Sequence, residues 1–256
     1  DYQGSMADFL MLVIVDKTEN TYSFLQFNRD TMTEVALIDH NGEGEATANI
    51  QLCTAHWYGG NREQSCENTV KSVKKLLGGI QIDGYYELNM NEIPKLNSMV
   101  DGVTVTLEDD FSKKYPKMKK GATINLDDEQ AYAYVHDRYG VGDEENASRM
   151  KRQQQYMTGF FKKLQEKVKA NPNYANEVFE SLQDVSTTDI TIGKISNISN
   201  IFASGTDKGI FQLAGKSKIG QALGDEMDHM EFYVNKKAMV STMSELFGIV
   251  EQKNKE

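Results

Sequence analysis

The first apolar run, Phe9-Leu10-Met11-Leu12-Val13-Ile14-Val15, gives way to the polar stretch Asp16 to Asn20 and then to Thr21-Tyr22-Ser23-Phe24-Leu25-Gln26-Phe27. Rich in β-branched and aromatic residues, these segments read as strand, turn and strand, a hairpin. The nearly continuous apolar first strand predicts a sheet covered on both faces, as in an α/β protein. A polar, glycine-containing loop follows from about Ile38 to Ala48. Between Ser65 and Leu77 the apolar positions Val70, Val73, Leu76 and Leu77 recur at helical spacing, and Gly78-Gly79 supplies the stop.

Tyr85 to Asn89 reads as a strand, Ile93 to Met99 as a short helix, and Val103 to Leu107, after the Asp101-Gly102 turn, as another strand. Asp127 with Gln130 three residues on is a capping-box pattern, and Ala131, Tyr134 and Val135 carry a helix towards His136. After the loop Gly140 to Asn146, a second helix is expected from Ser148 past Phe161. Beyond Asn171-Pro172 the pattern is less regular, with helices expected around Asn176 to Gln183 and Ile195 to Phe202. Phe232 to Val234 and Met239 to Phe247 suggest a closing strand and helix, and the charged end from Glu251 is expected to fray.

The chain has 256 residues, 39% hydrophobic and 26% charged, which suits a globular protein with a substantial core, read here as one domain. Its formal net charge of -10 opposes general nucleic-acid binding, so any anion site must be local. No apolar run approaches the ~20 residues needed to span a bilayer. With Asp1 first and no signal peptide, the sequence reads as part of a longer precursor whose anchor or address lies elsewhere. Cys53 and Cys66 are the two cysteines, and their spacing leaves open a disulfide suited to an extracytoplasmic address or two unbridged core thiols. The four histidines, His40, His56, His136 and His229, show no paired spacing for zinc.

Candidate chemistry concentrates in Tyr134-Val135-His136-Asp137-Arg138, the loop carrying Asp143, and Ser148-Arg149-Met150-Lys151-Arg152-Gln153. On a helix Arg149, Arg152 and Gln153 sit at i, i+3 and i+4, so they share a face near its start. Guanidinium groups match phosphate oxygens, and the free N–H groups of a helix start add positive potential. A solvated face paired with Glu144 and Glu145 is the other reading of the same charges. Arg29, in Asn28-Arg29-Asp30-Thr31 directly after a strand, leaves the edge of the sheet where α/β proteins bind ligands, or forms a turn pair with Asp30. Asp8 is a turn carboxylate or an oxygen ligand for Mg2+. The aromatic residues, Trp57, Tyr58 and Tyr85 among them, suit either a lipid pocket or ordinary core packing.

In their order these segments resemble the LytR-CpsA-Psr family. The blocks are Ala7-Asp8-Phe9-Leu10-Met11-Leu12, Asn28-Arg29-Asp30-Thr31, Ala55-His56-Trp57-Tyr58-Gly59-Gly60, Glu67-Asn68-Thr69-Val70, Asp101-Gly102-Val103-Thr104-Val105, Leu126 to Val135 and Arg149-Met150-Lys151-Arg152-Gln153-Gln154. The resemblance implies an α/β fold, a three-layer αβα domain with a mixed central sheet, over residues 1–250, best matched over 8–165, with a tail over 251–256. It implies an extracytoplasmic phosphotransferase, tethered to a bacterial membrane by an amino-terminal helix. Such an enzyme moves a glycopolymer phosphate, of a teichoic acid or capsular polysaccharide, from polyprenyl pyrophosphate to peptidoglycan. By the family pattern Arg29 and Arg138 clamp the pyrophosphate, with Arg149 and Gln153 completing the polar rim; His136 and Arg152 are counted in the binding site beside them. Asp8 helps hold Mg2+ (or Mn2+), and Asp143 orients the cluster or activates the acceptor hydroxyl.

Two departures accompany the resemblance. His136 stands where the family often has Arg, which replaces a permanent charge by a titratable one and implies phosphate affinity that weakens as pH rises towards neutrality. The family's first strand and a further metal-binding Asp belong upstream of Asp8, so an incomplete sheet edge is expected. These departures favour a second function, a polyprenyl-phosphate lipid-binding envelope module without turnover, and a lipid pyrophosphohydrolase that uses water as acceptor is a third.

Overall fold

The two apolar runs at the start of the chain pair as their pattern predicts. In the computed structural model, which describes residues 2–44 and 46–248, β1 (Leu10–Asp16) and β2 (Thr21–Phe27) run antiparallel, from Leu10 opposite Phe27 to Asp16 opposite Thr21. Asp16 Oδ1 closes the turn by accepting from the backbone N–H groups of Thr18 and Glu19 at 2.8 and 3.0 Å. A second hairpin, β3 (Met32–Ala36) with β4 (Thr47–Gln51), takes Thr47 and Ala48 out of the expected loop.

A 3-10 turn at Leu52–His56 leads to α1 (Arg62–Leu76). This helix starts ahead of the expected Ser65 because the Asn61 side chain caps it, accepting from Gln64 N–H at 2.9 Å. Gly78 and Gly79, at φ 77° and 91°, end it in a conformation that costs glycine little. Next come β5 (Tyr86–Leu88), α2 (Ile93–Met99), β6 (Val103–Thr106) and β7 (Thr123–Leu126), with β6 and β7 antiparallel. The capping box of Asp127 and Gln130 opens α3 (Asp128–His136), and α4 (Asn146–Ala170) follows. The last third holds α5 (Tyr174–Ser181), β8 (Ser186–Thr188), α6 (Ile192–Ser204), β9 (Thr206–Gln212), β10 (Gly215–Gly220), β11 (His229–Val234) and α7 (Lys236–Phe247).

Strand β2 lies between β1, antiparallel to it, and β9, parallel to it. From Tyr22 to Phe27 all of β2 is buried, and successive side chains serve opposite faces. On one face Phe24 stacks on Phe161 of α4, ring centroids 4.1 Å apart, and Tyr22 meets Phe202 of α6 at 4.9 Å. On the other, Leu25 and Phe27 pack with Val73 of α1, Leu77 at its end and Met243 of α7. Helices on both faces of a mixed sheet make the expected three-layer αβα architecture.

A second core cluster packs Val103, Val105, Leu126 and Tyr134 against Tyr156 and Phe160, so α4 serves the sheet with one side and the β6–β7 hairpin with another. Among the described residues β1 pairs only with β2, and residues 2–9 form no strand. Among the described residues β1 is therefore one edge of this sheet, with Val13 51% exposed, and β9 is the other. Cys53 and Cys66 are both buried and free, which decides against the disulfide reading. No helix among the described residues is long and apolar enough to cross a membrane. Asp1 and the expected tail from Glu251 lie outside the described residues.

Candidate functional site

Asn28 builds the turn that carries the site. Its carboxamide oxygen accepts from Asp30 N–H at 2.9 Å, and its carbonyl accepts from Thr31 N–H at 3.0 Å and from the Thr31 hydroxyl at 2.6 Å. Cys53 N–H donates to the Arg29 carbonyl at 2.9 Å and Leu52 N–H to that of Thr31 at 2.7 Å, so the 3-10 turn pins the loop. Arg29 is thereby fixed at the carboxyl end of β2, the edge at which open α/β sheets bind ligands.

The start of α4 closes on this turn. Asn146 donates from its carboxamide nitrogen to Asn28 Oδ1 at 3.1 Å and to Asp30 Oδ2 at 3.0 Å, while its oxygen accepts from Arg149 Nη2 at 3.0 Å. Arg149 Nη1 then donates to Asp8 Oδ1 at 3.2 Å, and Arg29 Nη1 donates to the same oxygen at 2.6 Å. Asp8, Arg149, Asn146, the Asn28–Asp30 turn and Arg29 thus form a closed ring of polar contacts. Met6 adds its sulfur, 3.4 Å from Arg29 Nη2.

Positive charge is crowded in this ring. Burial holds the Arg149 guanidinium below its ordinary pKa; Asp8 and Asp30 oppose that shift while Arg29 and Arg138 add to it. Burial likewise pushes the Asp30 carboxyl up, against the pull of Arg29 and Arg149. The Nε atoms of both Arg29 and Arg149 are buried without a hydrogen-bond partner, so the two guanidinium groups retain unmet donor capacity. Arg138 stands half-buried beside this pair, its guanidinium 4.6 Å from the Tyr139 ring and hydrogen-bonded to the Tyr139 hydroxyl.

The other residues singled out in the sequence are placed differently. The shared face expected of Arg149, Arg152 and Gln153 divides, because Arg152 turns to Asp109, at 3.2 Å, and to the Asp137 carbonyl. Its side chain is only 2% exposed, and its charge is spent on the α3–α4 connection. Gln153 is buried too, donating to the Val135 carbonyl at 3.1 Å and accepting from Gln26 at 3.5 Å, which ties α4 to α3 and β2. His136 stacks on Tyr132 at 4.7 Å and meets Asp137 Oδ1 at 3.2 Å. Asp143 is exposed, and its oxygens accept from Glu145 N–H at 3.0 Å and the Ser148 hydroxyl at 2.8 Å, the work of a helix-start turn.

Sequence reasoning missed Asn146, which a linear reading leaves in the loop, and the place of Cys53 beside Arg29. Burial pushes the Cys53 thiol up, against the pull of the Arg29 guanidinium, so it is a neutral neighbour. No local signal marked Asn146, because its burial in the first turn of α4 is a property of the fold. As for a metal, Asp8 belongs to no group of three or more His, Cys, Asp or Glu donors in ligand range among the described residues. One carboxylate is still enough for Mg2+, which takes one or two and fills its sphere with phosphate oxygens and water. Asp8, with its side chain 26% exposed, fits that part.

The family model described as the LytR_cpsA_psr family matches residues 2–247. The chain belongs to this family. No curated relative matches it. Among solved structures, TagT bound to LI-WTA superimposes with a TM-score of 0.69 at 20% identity, over 95% of this LytR-CpsA-Psr chain and 84% of the other. TagV of B. subtilis gives 0.70 at 20% identity, over 97% and 92% of the two chains. Protein gbs0355 from Streptococcus agalactiae gives 0.73 at 21% identity, over 95% and 80%. These likenesses establish that the LytR-CpsA-Psr chain shares their fold.

Proposed function

We propose that this LytR-CpsA-Psr chain is a phosphotransferase of the cell envelope that moves a glycopolymer phosphate, of the teichoic acid or capsular polysaccharide class, from polyprenyl pyrophosphate to peptidoglycan. The observation that carries this reading is the ring in which buried Arg149 and half-buried Arg29 share one carboxylate with Arg138 beside them. An incoming pyrophosphate supplies the negative charge that this crowd of guanidinium groups lacks, in a setting where water screens little. The structural likeness to TagT, which has been seen bound to LI-WTA, supports a glycopolymer ligand.

In this reading the acceptor hydroxyl oxygen attacks the phosphorus nearer the glycan. The bond from that phosphorus to the bridging oxygen breaks, polyprenyl phosphate leaves, and the hydroxyl proton passes to a base at the site or to solvent. Arg29 and Arg138 hold the pyrophosphate and Arg149 neutralises charge on its oxygens, the positioning and electrostatic work on which phosphoryl transfer chiefly depends. Asp8 keeps Arg29 and Arg149 at a fixed spacing and is the residue that would hold Mg2+ (or Mn2+), which would supply Lewis-acid neutralisation when bound. Asp143 and Arg152 shape the loop between α3 and α4, and the working face is the outer side of a bacterial membrane.

Native mass spectrometry with polyprenyl pyrophosphate, comparing the chain with its Arg29→Ala, Arg138→Ala double variant, tests the clamp. One lipid per chain, lost in the variant, is the expected result. Equal binding by both proteins, or by neither, counts against the arginine site. Transfer to a glycan acceptor, as opposed to release of phosphate to water, separates the transferase from the pyrophosphohydrolase, and lipid binding without either reaction marks a binding module.

A further inference from the structure

Away from the arginine ring, three chain segments bring unlike donor atoms together. His56 ends the 3-10 turn, Cys66 lies in α1 and Glu87 in β5, and one ligand atom from each lies within 4.8 Å of the others. Sequence spacing gave no sign of this, because the residues come from separate elements.

We propose that His56, Cys66 and Glu87 form a binding site for a borderline-soft divalent cation, Zn2+ in preference to Mg2+. The imidazole is already oriented for it. His56 Nδ1 lies 2.9 Å from the Ser5 carbonyl, which can only accept, so the proton sits on Nδ1 and Nε2 carries the lone pair. That Nε2 faces Cys66 Sγ at 3.9 Å. A second-sphere carbonyl fixing the tautomer in this way is the usual support of a metal-binding histidine. In a tetrahedral site with Zn–S near ~2.3 Å and Zn–N near ~2.0 Å the two donor atoms stand about 3.5 Å apart, so a few tenths of an ångström of closure suffices for the His56–Cys66 pair.

Glu87 is held in turn. One guanidinium nitrogen of Arg62 donates to both its carboxylate oxygens, at 3.0 and 2.7 Å, and the outer lone pairs of those oxygens remain for a ligand. A nitrogen, a thiolate and a carboxylate neutralise a divalent charge and leave one tetrahedral position for water. Mixed sulfur and nitrogen donors select zinc-like ions over Mg2+, which takes oxygen.

The ion joins the 3-10 turn, α1 and β5 at one point and draws in Ser5 through the His56 bond. It acts as a staple beside the loop that carries Arg29.

Equilibrium dialysis against Zn2+ and the absorption spectrum with Co2+ test the site on the whole chain. Expected are one Zn2+ per chain and a Co2+ thiolate charge-transfer band in the wild type and in Cys53→Ser, absent from Cys66→Ser. His56→Gln weakens Zn2+ binding by ~10-fold or more, the scale on which even outer-sphere partners act. Excess Mg2+ leaves the Co2+ band in place. Failure of the wild type to take up Zn2+ at tens of micromolar, survival of the band in Cys66→Ser, or displacement of Co2+ by Mg2+ each overturns the proposal. The wild-type measurements do not depend on the folding of any variant.

Discussion

Asp8 Oδ1 accepts from both Arg29 and Arg149, at 2.6 and 3.2 Å, so a single carboxylate oxygen separates the half-buried Arg29 guanidinium from the buried one of Arg149. The arrangement is rigid because each partner has a second anchor: the Asn28 turn for Arg29 and Asn146 for Arg149.

Removing that carboxylate strands both cations. With Arg149 6% and Asp8 26% exposed, Asp8→Ala is expected to cost about 3 kcal/mol, the low end for breaking a buried pair. Inorganic pyrophosphate is expected to raise the thermal midpoint of the variant more than that of the wild type. Urea unfolding and a thermal shift series measure both effects, and a variant of wild-type stability removes Asp8 from its role.

Arg149 and Arg152 separate by what their replacement by lysine damages. A lysine at 149 cannot reach Asp8 and Asn146 at once, so Arg149→Lys is expected to weaken polyprenyl pyrophosphate binding about tenfold with little loss of stability. Arg152→Lys breaks the contacts to Asp109 and the Asp137 carbonyl and is expected to show the opposite pattern. If lipid titration and unfolding give the reverse assignment, Arg152 lines the site and Arg149 is scaffold.

Asp30 makes stability depend on acid. Its folded pKa is raised, chiefly by burial, so the folded chain holds this proton to higher pH than the unfolded chain does. Its contribution is fully present below the ordinary Asp value of ~3.9 and is lost as pH rises through the raised value. Relative to wild type, Asp30→Asn is therefore expected to gain stability as pH rises from about 4 and to level off above the folded pKa. Unfolding free energies of the two proteins that run parallel throughout the acidic range contradict this.

The stack of Phe24 on Phe161 joins the sheet to α4. Phe161→Ala is expected to destabilise the chain by about 3 kcal/mol, because Phe161 is half-buried and a core Phe→Ala costs at least that much when the gap stays open. Since α4 also delivers Asn146 and Arg149, lipid affinity measured well below the melting point reports whether the helix start has shifted.

Much of the fold was legible because its signals are local. The β1–β2 hairpin announces itself by apolar and aromatic runs around a polar turn, and α3 by a capping box within four residues. Strand β9 was not read: Thr206-Asp207-Lys208-Gly209 opens it with polar residues, and it is a strand because β2 offers a parallel edge. In the site, the Arg29 and Arg138 clamp and Asp8 were named from the family resemblance. The helical spacing of Arg149, Arg152 and Gln153 suggested one face, which buried carboxylate and carbonyl partners then divided.

By itself the sequence determined the alternation of apolar runs and turns, the helix starts and stops, and the residue types from which an anion site can be made. Those properties follow from interactions between residues a few positions apart. Only the tertiary structure decided that Asp8, Arg29 and Asn146 meet, that Cys53 and Cys66 stay unbridged, and that His56, Cys66 and Glu87 converge. Those juxtapositions depend on how the helical layers seat on β2, and burial there fixes the partner each charged group finds.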